Sequence, residues 1–420
     1  MEKIMSYTCS RKMRIGRLVS TAVLIVQIAV LPAKALAQVD QNEIAQLRAQ
    51  ITALSDRLEQ LETDNAEMNI AIEETQESSG SSSWFNKVRI TGDLRSRYER
   101  LDDDGKDSAR NRNRIRSRVG IIADVNEDFV MALGFAGGGD NPISTNQTLG
   151  GGGTTKDIRL DYAYFEYHGF DNMMITGGKY RNVFFKPGGS GQNMIFDGDY
   201  RPEGLGLQYE NSNTFFNAGT FFIESDDKAG TQDEEMMWGV QLGHETALEN
   251  GALTFGASYF DAALKGSQPF YNNLSYRNTL DANGAYMYDF EVVELFVEGN
   301  FTLGNQPLRL YADLVQNQDA DKYDTGWVLG GKIGDVGGPG EWEFGYAYQD
   351  LEADAVFAAL TDSDFSDGGA DGKGHILNAA YGIGNRTEIG LTYWLNEYGE
   401  ASQGQEIDYD RLHMYMTVAF

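Results

Sequence analysis

Seven arginines fall in two neighbouring stretches at a spacing that assigns them to one surface. In RNRNRIRSRVGIIAD (110–124), Arg112, Arg114, Arg116 and Arg118 occupy every second position. In VRITGDLRSRYER (88–100), Arg89, Arg95 and Arg97 share one parity, with Asp93 and Glu99 between and beyond them. A two-residue period puts each set on a single face of an extended strand. Guanidiniums arrayed this way either stiffen a wall through ion pairs or present a positive surface to anions. Asp93 and Glu99 are too few to neutralise them. Carboxylates of matching parity recur far downstream at Glu294, Glu298, Asp313, Glu343 and Glu388. A third charged group, Lys186, Asp197, Asp199 and Arg201, lies in NVFFKPGGSGQNMIFDGDYRP (182–202), where Gly188, Gly189 and Gly191 permit tight turns.

Other chemistry finds little support. DDDG (102–105) and SDFSDGGADG (363–372) resemble calcium loops only superficially, lacking the twelve-residue ligand spacing and its closing Glu. They read as solvated outer loops. GGGG (150–153) has no following Lys-Ser/Thr to hold a phosphate. His168, His244, His375 and His413 stand apart from any nucleophile or metal-ligand partner. The sequence therefore offers no catalytic set, no metal site and no cofactor site.

The elements that position these charges are strands. From Lys87 onward, segments of about ten residues alternate apolar and polar side chains between Gly, Asn and Asp punctuation. Leu308, Leu310, Ala312 and Leu314 oppose Arg309, Tyr311 and Asp313; Trp342, Phe344, Tyr346 and Tyr348 oppose Glu343, Gly345, Ala347 and Gln349. Sixteen such segments fit between Lys87 and Phe420. Short connections fall near Asn126, Gly169, Asn211, Ala247, Thr302, Asp335 and Gly384. Long ones fall near 102–109, 137–157, 182–202, 225–235, 261–286, 318–325, 351–373 and 397–408. Short and long alternate throughout, as in a transmembrane barrel with tight inner turns and long outer loops. A closed sheet also pairs every backbone group inside lipid. A propeller would need a repeat of 40–50 residues, which is absent. The expected fold class is all-β: a 16-stranded antiparallel transmembrane β-barrel over 87–420, preceded by a short periplasmic α-helical coiled coil.

The amino-terminal part has its own logic. Basic residues to Arg17, the apolar run Thr21–Ala33 and Ala35-Leu36-Ala37 describe a signal peptide over 1–37, with Met13 as an alternative start. Its removal takes six of the 34 basic and one of the 63 acidic side chains, leaving 28 against 62 and a formal charge of −34. The lone cysteine, Cys9, leaves with it. That acidity argues against a nucleic-acid partner. Within 38–76, Ile44, Leu47, Ile51, Leu54, Leu58, Leu61, Asn65, Met68 and Ile72 follow 3,4 steps, a heptad seam with Asn65 fixing register. A flexible linker, 77–86, includes ESSGSSS.

RIRSRVGIIADV (114–125), NPISTNQTLG (141–150), DGDYRPEGLGLQY (197–209) and the closing strand to Phe420 resemble the Gram-negative putative porins, general-porin-like outer-membrane barrels. The likeness covers about 87–420. It implies passive diffusion of small hydrophilic solutes and ions, a homotrimer, and an inward fold of the 182–202 loop as the constriction. It also implies that Phe420 is a signal to the barrel-assembly machinery. Outer-membrane lipid and lipopolysaccharide would surround the barrel, leaving the coil to reach peptidoglycan. With the Arg-rich second strand half a circumference from the tenth, the expected arrangement is a basic wall facing an acidic one. Competing readings are an anion-preferring channel and a barrel serving mainly as a cell-wall tether. No enzyme is expected.

Overall fold

A computed structural model describes residues 87–189, 193–226 and 234–420, together with the single position 57. The expected signal peptide, coiled-coil seam and linker lie outside the described residues. The chain divides into two units, 1–83 and 84–420, and the second is the barrel.

Sixteen antiparallel strands form one closed sheet. They are β1 (Val88–Asp103), β2 (Arg110–Asp124), β3 (Phe129–Gly137), β4 (Ile158–Phe170), β5 (Met173–Lys179), β6 (Glu203–Asn211), β7 (Thr214–Glu224) and β8 (Glu235–Leu248). The second half comprises β9 (Gly251–Ala262), β10 (Phe290–Leu303), β11 (Gln306–Asn317), β12 (Thr325–Gly334), β13 (Trp342–Leu351), β14 (Gly372–Gly384), β15 (Thr387–Tyr398) and β16 (Ile407–Ala419). Each strand pairs with the next, and β16 closes on β1 from Asp93↔Ala419 to Asp103↔Tyr409. Phe420 extends that seam by exchanging backbone hydrogen bonds with Gly92 at 3.0 and 3.2 Å. The connections fall where the sequence places them, although the one after β12, 335–341, is no tight turn but matches the connection 318–324 in length.

Alternation sorts the two faces. On β16, Met414, Met416 and Val418 are exposed while Arg411 and His413 are buried inside. Leu310, Leu314, Phe344 and Tyr346 likewise point outward, and Tyr311 and Asp313 inward. An outer surface this apolar is matched to lipid, where closure leaves no unpaired sheet edge.

The wall is not uniform. β5 has 7 residues against 16 in β1. β3 stops at Gly137, so Gln147–Thr148 in the following connection takes its place beside β2, opposite Ile115 and Arg114. A bulge at Gly134/Phe135 shifts the β3–β4 register. There the Tyr162 ring lies where a Cβ on Gly134 or Gly120 would sit, so glycine lets a large ring lie flat on the inner wall.

The apolar core sits inside the barrel. It joins inward residues of β3, β4 and β7–β15, such as Phe221, Phe260, Val292 and Trp394, to side chains from four connections, 138–157, 180–202, 263–289 and 352–371. Two short 3₁₀ turns, Ala358–Leu360 and Phe365–Asp367, shape the last of these.

Candidate functional site: a charged lumen crossed by two loops

The connection 180–202 runs into the lumen and docks on the β7–β11 wall. Phe184 packs edge-on to Phe260 at 4.8 Å, and Phe185 stacks on Phe296 at 5.3 Å. On the return limb Phe196 packs edge-on to Phe260 at 5.3 Å. Polar pins fix its height. The Phe185 N–H donates to Gln241 Oε1 at 2.6 Å, Gln241 Nε2 donates to the Phe185 carbonyl at 3.0 Å, and the Gly188 N–H donates to Glu298 at 2.9 Å. Positive φ at Gly188, 75°, lets the limb reverse against the Tyr311 ring.

The connection 352–371 also lies inside, contrary to the solvated outer loop expected for SDFSDGGADG. Ala353–Leu360 are buried, as are Phe365, Ser366, Ala370 and Asp371. The loop 263–289 covers it: Asn278 Nδ2 donates to the carbonyls of Ala353 at 2.7 Å and Val356 at 2.9 Å. Arg277 donates to the carbonyls of Ala370, Ser366 and Gly368 at 2.6–2.8 Å. The two infolded loops meet where the Asp197 N–H donates to the Leu360 carbonyl at 2.7 Å and the Ser363 N–H to Asp197 at 2.9 Å. The apolar run AVFAAL (355–360) was the available signal: a solvated loop has no use for it.

The arginine ladder faces this loop pair. Register sets Arg95 opposite Arg116, Arg97 opposite Arg114 and Glu99 opposite Arg112. Glu99 is wholly buried and pairs with Arg97 at 2.8 Å, Arg411 at 3.2 Å, Arg114 at 3.6 Å and Arg112. Asp364 reaches in from the second loop to Arg411 at 2.7 Å and Arg97 at 3.3 Å. Burial works against its charge, yet Arg411, Arg97 and His413 hold its carboxyl well below the usual range. His413 completes the cluster, its Nε2 accepting from Arg411 Nε at 2.8 Å. Lower down, Arg116 pairs with Asp93 at 2.7 Å, and Arg118 with Asp199 of the first loop. Arg95 donates to the Asn146 side chain at 2.9 Å and Arg114 to the Asn146 carbonyl at 3.2 Å. Arg89 sits apart at the rim, half-exposed and 3.2 Å from Asp124. Sequence reasoning supplied the ladder but not Arg411, His413 or Asp364 as members of one cluster.

The acidic residues do not form one open wall. Glu294, which bonds Ser258, and Asp313 are buried in the region where the first loop docks. Glu298 is held by Gly188 and lies 3.5 Å from Arg309. Glu343 pairs with Lys332 at 2.7 Å, and Glu388 stands half-buried two strands away on β15. Inward parity was readable; the loop cover was not. Beyond Asp93, Glu99 and Asp124 on β1 and β2 themselves, the acids paired with the ladder among the described residues come from loops, Asp199 and Asp364. The first loop's charges behave differently from one another. Burial, with Asp362 and Asp199 close by, pushes Asp197 well above the usual range, whereas Arg118 and Arg116 overcome burial and lower Asp199. Burial brings Lys186 down to about 8, and its ammonium donates to the carbonyls of Phe196 and Asp197.

A closed sixteen-strand barrel with a charged lumen and an apolar exterior defines the pore-forming class of outer-membrane protein. The family model described as "Putative porin" matches residues 104–303 and 266–420, and the chain belongs to that family. Among solved structures it is similar to Pseudomonas putida OprB at high pH, with a TM-score of 0.54 and 12% identity over 81% of this chain and 96% of that one. A mutant of Rh. blastica porin gives a TM-score of 0.50 and 10% identity over 79% of this chain and all of that one. No curated relative matches the sequence. By family, the chain is thus an outer-membrane channel protein.

Proposed function

We propose that the barrel is a diffusion channel for small hydrophilic solutes and ions, narrowed by the 180–202 and 352–371 loops. The observation that carries this reading is the lumen itself: a ladder of arginines on β1 and β2 facing two infolded loops that bring in Asp199 and Asp364. Opposite charges across a narrow, low-dielectric passage orient dipolar solutes and screen ions. A homotrimer in outer-membrane lipid, with the amino-terminal coil in the periplasm and available to peptidoglycan, completes the proposal. Delivery would run through the barrel-assembly machinery, addressed by Phe420.

A second reading, anion preference, is favoured by Arg95, whose hydrogen bond goes to the neutral Asn146 rather than to a carboxylate. Single-channel recording in planar bilayers under a salt gradient tests both. Discrete conductance steps are expected, and replacing Arg114, Arg116 and Arg118 together with alanine shifts the reversal potential toward cations. Purified, folded protein that gives no steps overturns the channel; an unmoved reversal potential overturns the role of the ladder.

A further inference from the structure

Beneath the first loop lies a cavity of about 550 Å³, lined by Arg118, Arg181, Lys186 and Arg201 and by Asp93 and Asp161. The acids do not cancel the cations. Among the described residues Asp93 is taken by Arg116 at 2.7 Å, Asp161 pairs with Arg201 at 3.6 Å, and of the cations Arg118 is paired with Asp199. Among the described residues Arg181 forms no ion pair; it donates to the Tyr162 hydroxyl at 3.2 Å, with its guanidinium 5.0 Å from that ring's centre. One donor on the lining, Asn182 Nδ2, is buried with no hydrogen-bond partner among the described residues, and a second, Arg201 Nε, has only the Asp161 carboxylate at 3.6 Å, beyond hydrogen-bond reach. A buried donor without an acceptor is costly, and an acceptor-rich ligand would remove that cost. The rest of the lining includes Phe184 and the Tyr162 ring, so it offers apolar surface beside the charge. The volume suits a compact organic molecule.

We propose that this cavity is a binding site for small organic carboxylates with an apolar body, held by Arg181, Arg201 and Asn182. The planar guanidinium forks fit a carboxylate, and Tyr162 and Phe184 cover the body. Arg201 and Asp161 also line a second cavity of about 470 Å³ toward the 138–157 connection. The pair therefore stands between two chambers, and a bound carboxylate competes with Asp161 for Arg201. This inference rests on the channel reading and names a solute class for it.

The test uses benzoate and its neutral isostere benzamide on the full-length protein. In planar bilayers benzoate should block current at a concentration at least tenfold below benzamide, and Arg181→Gln should raise the half-blocking concentration about tenfold. Arg100→Gln, on the outward face, should leave it unchanged. Equal block by the two probes, or block unaffected by Arg181→Gln, overturns the proposal. Calorimetric titration of the detergent-solubilised protein with the same probes separates the two readings. Heat released by benzoate and lost in Arg181→Gln keeps the site even where no conductance is seen; no heat with benzoate removes the site even from a working channel. Heat-modifiable migration on gels confirms that each variant is folded.

Discussion

Replacing Asp364 with asparagine should free the tip of the second loop without touching the wall. Asp364 is the loop's charged contact with the β1 and β16 arginines, at 3.3 Å from Arg97 and 2.7 Å from Arg411. Both arginines are about 2% exposed, whereas the Asp364 side chain is 25% exposed. Removing one partner of a buried ion pair costs about 3–5 kcal/mol, and partial solvation of Asp364 places the change near the lower end, about 3 kcal/mol. Glu99 still compensates the arginines, so the barrel itself should hold. A tenfold change in population corresponds to about 1.4 kcal/mol, so the undocked state should rise on the order of a hundredfold. Single-channel recordings report this as occupancy of a larger conductance substate, with heat-modifiable migration confirming a folded barrel. Unchanged substate occupancy in a folded Asp364→Asn protein would refute the argument that this contact fastens the loop.

Two other outcomes test the same architecture. Burial, then repulsion from Asp364, pushes Asp362 up to about 7 from an ordinary 3.8, while Arg411 pulls it down and Asp199 pushes it up. The docked tip therefore holds a proton that the free tip would release. Its contribution to docking is complete below about 4 and is lost as pH rises through about 7. Asp197, also raised, adds in the same direction; Asp364, held low, does not oppose it in that window. Larger-substate occupancy should rise between pH 5 and 8, and Asp362→Asn should flatten that rise. Separately, deleting Phe420 removes the two backbone hydrogen bonds to Gly92 and the residue after β16. Folded protein in the membrane fraction should fall severalfold, while the unit conductance of what does assemble stays the same.

The strands were legible because lipid on one side and water or loops on the other impose a strict period of two. That is why the stretches around Leu308–Leu314 and Trp342–Tyr348 could be read as strands, and why Arg95 and Arg97 share a face of β1 and Arg112, Arg114, Arg116 and Arg118 a face of β2. Parity says which way a side chain points and nothing about what lies against it. Glu294 and Asp313 do point inward, but into a region packed with the first loop. The second loop was misjudged because Asp362, Asp364, Asp367 and Asp371 suggested solvent, while Val356, Phe357 and Leu360 beside them required burial. Its counter-charges, Arg97 and Arg411, sit 267 and 47 positions away, a pairing no local pattern encodes. The substitution of Gln147–Thr148 for the missing end of β3 was hidden for the same reason.

The infolded loops also impose an order on how the molecule can be built. The first loop's pins reach forward 56 residues to Gln241 and 110 residues to Glu298, and its junction with the second loop spans 166. None of these partners exists as wall until β8, β10 and the chain beyond β13 are in place. The aromatic side chains of Phe184, Phe185 and Phe196 must therefore wait, uncovered, through the laying down of half the sheet. Asp364 can find Arg97 and Arg411 together only once the last strand has met the first. The docked pair of loops is thus the last part of the lumen to take shape, and a sheet arrested before closure would lack the contacts that fasten it.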